Sequence, residues 1–270
     1  LSDRDVLEGR LAATFRQLGQ RRRRAFIPYV TAGDPAPDST VDVLEMLVDA
    51  GADVVELGIP FSDPLADGPT IQAAAWRALG RGVDVARVLN WTSDFAAQWD
   101  TPIVLFSYLN PILRYGAERF VQDAREAGAA GLLITDLPAG EDPELDLALG
   151  SGDVDLVRLI APTTPADRLP RILQTARGFI YYISRTGVTG ERDQLRAELA
   201  SEIGALRGSV NLPIAVGFGI SSPEQARTVA SVADGVVVGS ALVRTLAEEG
   251  LDATRRLALA LRTAIDAATP

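Results

Sequence analysis

A single glutamate, Glu56, interrupts the apolar run Val54-Val55-Glu56-Leu57-Gly58-Ile59, which has the composition of a buried parallel strand. A carboxylate in such a place is costly unless it is paired or put to use. One reading is a core glutamate satisfied by one of the arginines. A rigid acidic loop follows at once, with Pro60, Pro64 and Pro69 and the carboxylates Asp63 and Asp67. That loop favours the other reading, in which Glu56 stands at the rim of a pocket and has a functional role. Gly68-Pro69 ends the loop and Ile71-Gln72-Ala73-Ala74 opens a helix, proline being tolerated in a first turn.

Three absences narrow the chemistry further. The chain has no Cys, no His and no Lys, so every basic side chain is Arg. Disulfides, thiolate nucleophiles and Cys/His zinc sites are excluded, and so is a lysine Schiff base. Proton transfer must fall to carboxylates, tyrosines or water.

A second constellation is made of glycines. Gly217-Phe218-Gly219-Ile220-Ser221-Ser222 and Gly239-Ser240 each follow a short apolar run, and Gly190 lies in an earlier glycine-containing loop. Together they offer backbone N–H groups and a helix N-terminus, a phosphate cradle that requires no cation. Any one glycine at a strand end is common for turn reasons alone. Clusters after the sixth, seventh and eighth strands of a barrel point to a phosphate ester.

The elements that must position these groups alternate along the chain. Apolar runs at Ala25–Thr31, Asp53–Ile59, Pro102–Leu109, Gly131–Leu137, Asp155–Ala161, Phe179–Ser184, Pro213–Phe218 and Asp234–Gly239 read as strands. Helical segments between them end at Gly51, Gly128 and Gly178, and Thr164-Pro165 and Ser222-Pro223 read as helix starts. Eight such units in 270 residues predict one α/β domain over residues 1–270, a (β/α)8 TIM barrel. An extra N-terminal helix is expected over residues 3–19, from the spacing of Val6, Leu7, Leu11, Ala12, Phe15 and Leu18. A doubly wound open sheet is the alternative, but the Gly-rich dinucleotide turn is absent after the first strand. Arg21–Arg24 reads as a solvated helix exit. The second-to-third and sixth-to-seventh connections are the longest, and extra length at that end of a barrel builds sites.

Charge and hydropathy set outer bounds. The net charge of −10 disfavours nucleic-acid or anionic-membrane partners. No run has the apolar length of a membrane span, and the first residues lack a signal-peptide core, so a cytoplasmic location is expected. The chain opens on Leu1 and not on Met, which points to a few residues upstream.

At this point the motifs identify a family. FIPYVTAGDP at 26–35, ELGIPFSDPLADGPTIQ at 56–72, Asn110-Pro111-Ile112, Asp136 in TDLP, LIAPTT at 159–164, SRTGVTG at 184–190 and GFGISSPEQ at 217–225 span nearly the whole chain. With them the sequence resembles the tryptophan synthase alpha subunits. The resemblance implies a retro-aldol lyase that splits indole-3-glycerol phosphate into indole and glyceraldehyde 3-phosphate in tryptophan biosynthesis. By the same matching Glu56 is the acid/base, and Asp67 holds the indole N–H. Gly190, Gly219, Gly239 and Ser240 bind the phosphate. Tyr29, Ile71, Phe106, Tyr108, Leu133 and Tyr181 line the indole slot, ordinary core packing being the alternative for each. Thr189 is matched to the loop residue that closes over substrate, where a hydrogen bond to Asp67 is expected. Tyr29 stands where phenylalanine is common, and Thr135 where a smaller residue is often found.

The resemblance also implies a beta subunit in an alpha2beta2 complex, contacted at Pro60, Asp63 and Asn110. No metal and no cofactor are expected in this chain, pyridoxal phosphate being expected only in that partner. Two alternatives stay open: a stand-alone lyase releasing free indole for secondary metabolism, and a non-catalytic subunit that activates its partner. Intact Glu56 and Asp67 speak against the second.

Overall fold

The computed structural model describes residues 9–150, 153–184, 192–217 and 219–268. Eight parallel strands close on themselves in sequence order, so the barrel reading holds and the open sheet is set aside. They are β1 (Ala25–Thr31), β2 (Val55–Gly58), β3 (Ile103–Ser107), β4 (Gly131–Ile134), β5 (Asp155–Ile160), β6 (Ile180–Ile183), β7 (Ile214–Gly217) and β8 (Gly235–Val238). The helices are α1 (Arg10–Gln20), α2 (Thr40–Asp49), α3 (Pro69–Leu79), α4 (Val85–Ala96), α5 (Leu109–Tyr115), α6 (Ala117–Glu126), α7 (Pro143–Leu149), α8 (Leu169–Thr175), α9 (Arg192–Arg207), α10 (Pro223–Ala230), α11 (Ser240–Glu249) and α12 (Leu251–Asp266).

Alternation along each strand divides the core into two shells. Outward residues such as Phe26, Val55, Leu57, Leu105 and Val236 join the surrounding helices in the larger apolar cluster. Inward residues Ile27, Val54, Val104, Leu133, Val157 and Ala215 fill the lower barrel, where α1 sends in Leu11, Phe15 and Leu18. Phe15 and Phe179 meet with ring centroids 5.4 Å apart. The extra N-terminal helix therefore plugs the N-terminal end of the barrel. Its described part starts at Arg10, and Val6 and Leu7 lie outside the described residues.

Gly51, Gly128 and Gly178 all take positive φ, at 95°, 81° and 70°, as left-handed helix ends should. Ser222 makes a full capping box with Gln225 at the start of α10. Thr164 does not cap a helix. Its Oγ1 accepts the Ala161 N–H at 3.0 Å, a short 3-10 turn fills Ala166–Arg168, and α8 starts at Leu169. The long connection from β2 to β3 is only partly loop, since it holds α3 and the additional helix α4.

The arginine run is also more than a solvated exit. Arg23 pairs with Asp266 at 3.1 Å and Arg24 with Asp234 at 3.5 Å. Behind them Arg262 is buried, with Nη1 2.7 Å from Asp53 and Nη2 2.6 Å from Asp266. This network ties α12 to the strand starts at the plugged end.

Candidate active site

The inward positions nearest the C-terminal ends of the strands converge on one cavity of about 390 Å³. Tyr29 of β1 is the register partner of Glu56 of β2, and Phe106 of β3 is that of Gly58. Two strand glycines admit two phenols. A Cβ on Gly58 would lie 2.1 Å from the Tyr29 hydroxyl oxygen, and one on Gly217 would lie 2.2 Å from that of Tyr181. Each tyrosine thus crosses its neighbouring strand where a side chain is missing. A glycine inside a strand signals such a close approach, and Gly58 and Gly217 carried that signal in the sequence.

Glu56 is 1% exposed, and neither carboxylate oxygen has a hydrogen-bond partner among the described residues. It lies on the cavity wall, deep in the barrel and not at a rim, because β2 sets its inward face between Val54 below and Gly58 above. Burial pushes its carboxyl up to about 8. Among the described residues, the arginine that a structural role would require is missing. Such an acid is protonated at neutral pH and able to release a proton when its surroundings change.

Asp67 reaches the same cavity from the loop after β2. Burial raises its carboxyl to about 6, against a hydrogen bond from Tyr108 that favours the charged form. The loop is held on several sides. Gln72 Nε2 donates to the Pro64 and Asp67 carbonyls, at 3.3 and 2.9 Å. Arg77 of α3 grips the buried Asp34 after β1 with two bonds of 2.7 and 2.9 Å, which fixes the helix that carries Ile71. Tyr29 and Tyr181 are both raised, first by burial and then by the nearby carboxylates, so both remain neutral O–H groups.

The remaining expected residues divide. Ile71, Phe106, Gly219, Gly239 and Ser240 line the cavity, and so do Thr135, Leu159 and Arg244. Leu133 does not: it is fully buried one layer down in the plugged half, and Thr135, the next inward residue of its strand, takes the wall position. Tyr108 is also off the wall, standing behind the Asp67 loop, where its oxygen accepts the Ala66 N–H at 2.9 Å. Thr189 and Gly190 lie outside the described residues.

The cavity also takes in the start of α11. Gly239 precedes that helix, with no side chain capping it, and Gly219 has φ 74°. A helix N-terminus with uncapped N–H groups beside a left-handed glycine suits an anion.

Outside the cavity, Pro60, Phe61 and Asn110 border a wider, largely apolar groove of about 870 Å³ between the loop and α5. Asp63 is exposed on the same loop and accepts the Ser62 hydroxyl. Asp136 accepts the Leu109 N–H at 2.7 Å and so pins the first turn of α5. Among the described residues no cluster of three or more His, Cys, Asp or Glu could hold a metal ion. No helix among them is long and apolar enough to cross a membrane.

Residues 15–267 match the model of the family described as tryptophan synthase alpha chain. The chain belongs to the tryptophan synthase alpha-chain family. It is 48% identical over 265 residues to the alpha chain of Laribacter hongkongensis, covering 97% of this chain and 99% of that one. It is 49% identical over 240 residues to that of Gloeobacter violaceus, covering 88% and 87%. Among solved structures, the alpha subunit of Legionella pneumophila superposes with a TM-score of 0.89 at 40% identity, over 96% of this chain and 99% of that chain. Tryptophan synthase of M. tuberculosis in an aminoacrylate-bound form gives 0.86 at 34% identity, over 95% and 99%. As an alpha chain the protein is a carbon–carbon lyase of tryptophan biosynthesis that cleaves indole-3-glycerol phosphate. None of these relatives favours the reading of a stand-alone source of free indole.

Proposed function

We propose that the cavity binds indole-3-glycerol phosphate with its ring between Tyr29, Ile71, Phe106 and Tyr181 and its phosphate at Gly219, Gly239 and Ser240. One observation carries the assignment: the buried Glu56, unpartnered among the described residues, in an apolar cavity that also takes in an uncapped helix N-terminus. In the first step the Glu56 carboxylic acid protonates C3 of the indole, so that the ring becomes an electron sink. The Asp67 carboxylate accepts the ring N–H and stabilises the positive charge that develops there. The Glu56 carboxylate then takes the proton from the side-chain hydroxyl. The carbon–carbon bond to C3 breaks, its electron pair returns to the ring, and the hydroxyl carbon becomes the aldehyde of glyceraldehyde 3-phosphate. Glu56 ends protonated, as it began. Two carboxyl groups tuned differently can divide acid and base work in this way.

The partner in this reading is a tryptophan synthase beta subunit in an alpha2beta2 complex, docking at the groove edged by Pro60 and Asn110, with Asp63 on the exposed loop. Pyridoxal phosphate belongs to that subunit, and this chain supplies indole without a cofactor of its own. The family's place in biosynthesis supports a cytoplasmic setting. Turnover of indole-3-glycerol phosphate by the purified chain, with and without a beta subunit, tests the proposal. Slow cleavage alone and faster cleavage in the complex are expected, since a partner that prefers the ordered loop shifts its population. Full-speed cleavage by the isolated chain would overturn the partner's role, and no cleavage in either case would overturn the catalytic assignment.

A further inference from the structure

The resemblance places Tyr108 in the indole slot, but the hydroxyl points elsewhere. It accepts the Ala66 N–H at 2.9 Å, one residue before Asp67, and the Asp67 charge close by raises the phenol's own proton affinity. The ring packs on Phe61 with centroids 5.2 Å apart, tilted by 37°. The backbone of Tyr108 is the N-cap of α5, the helix whose Asn110, Pro111 and Leu113 line the groove that Phe61 borders. One buried side chain therefore touches the start of the loop through its ring and the end of the loop through its oxygen.

We propose that Tyr108 is the positioning residue for Asp67, and that through Phe61 it makes the placement of that carboxylate depend on the wall of the neighbouring groove. The inference rests on Asp67 acting in the cavity as described above, and it adds what holds Asp67 there. A phenol that accepts the Ala66 N–H keeps its own hydrogen free to donate, and the neighbouring Asp67 carboxylate is an available acceptor. A bond given to that carboxylate favours ionised Asp67. Burial opposes it by favouring the neutral acid.

Other groups around Asp67 do not replace this contact. Among the described residues Tyr29 of β1 and Tyr181 of β6 face Asp67 as neutral phenols, each with its oxygen over a strand glycine. Glu56 and Arg244 line the same cavity, Asp63 is bonded to Ser62, and Arg77 is held by Asp34.

The test is Tyr108→Phe in the full chain, which keeps the ring on Phe61 and removes only the oxygen. Two readouts need no turnover. The Asp67 carboxyl, followed by carbon NMR and assigned with Asp67→Asn, should titrate about one pH unit higher. The Ala66 amide should exchange with solvent on the order of tenfold faster. With substrate, kcat should fall roughly tenfold with little change in KM, and the acid limb of its pH profile should move up with the NMR titration. Phe61→Ala, with the hydroxyl still present, tests the link to the groove and should shift both NMR readouts in the same direction by less. An unchanged Asp67 titration and Ala66 exchange in Tyr108→Phe would overturn the positioning role, and the same result in Phe61→Ala would overturn the link. Absence of turnover by the unaltered chain would instead count against the lyase assignment, with the NMR readouts still deciding the role of Tyr108.

Discussion

Asp53 and Glu56 lie on the same short stretch of chain at the second strand, and they are opposite in kind. Asp53 accepts the Phe26 N–H at 2.8 Å and an Arg262 N–H at 2.7 Å. Burial still raises its carboxyl, but the backbone bond and Arg262 oppose that rise. Glu56 has no such opposition. At the plugged end, Asp53 and Arg262 use buried charge as a fastening, each with a counter-ion and hydrogen bonds. The open end leaves the acid of Glu56 without a partner among the described residues, an arrangement that lowers stability and that a ligand in the cavity would offset.

The contrast is sharpest if each end is broken separately. Arg262→Met strands the buried Asp53, while Asp266 keeps Arg23, and should destabilise the fold by about 3 kcal/mol. Denaturant midpoints would measure it, and a neutral result would show that the network is not a fastening. Glu56→Gln should do the reverse, leaving the fold intact while cleavage drops by roughly a hundredfold or more, about 3 kcal/mol of barrel-top chemistry. Near-normal single-turnover rates in that variant would remove Glu56 from the mechanism.

The pH dependence separates the two ends next. Folded Glu56 keeps its proton up to about 8, whereas an unfolded chain releases it near 4.5. The stability advantage of the folded state is therefore full below that lower value and is lost as pH rises through the window, levelling off above about 8. The slope attributable to this one proton is about 1.4 kcal/mol per pH unit. Comparing unfolding of the parent and Glu56→Gln across pH should show this slope in the parent alone, and parallel curves would contradict the burial argument. For kcat/KM the same groups predict a bell with limbs near 6 from Asp67 and near 8 from Glu56.

The smallest expected effect is at the anion end. Gly239→Asp would place a carboxylate at the start of α11 and should raise KM for the phosphate ester roughly tenfold, with free indole affected much less. Equal weakening of both ligands would point to a disturbed fold.

How much of this was legible beforehand depends on which physical rule governs each residue. Alternation and apolar runs locate strands directly, and Glu56 stood out because it breaks that pattern. The glycines at 219 and 239 stood out as clusters at strand ends, and both line the cavity. Leu133 was misplaced since alternation tells inward from outward but not the layer, which depends on how the strands are staggered around the barrel. Tyr108 sits behind the Asp67 loop because the turn from β3 into α5 swings its ring there, a direction that no local pattern encodes. Thr164-Pro165 looked like a helix start, but the threonine bonds back to Ala161 and a 3-10 turn intervenes.

The plug made by Leu11, Phe15 and Leu18 has a consequence for traffic. With one end stoppered, passage through the N-terminal end of the barrel is shut. Whatever enters to react and whatever leaves afterwards uses the C-terminal face, where the Asp67 loop lies. A protein seated over that face would therefore govern admission and departure together. A conduit carrying indole onward would have to begin on that face, because the plugged end offers no door.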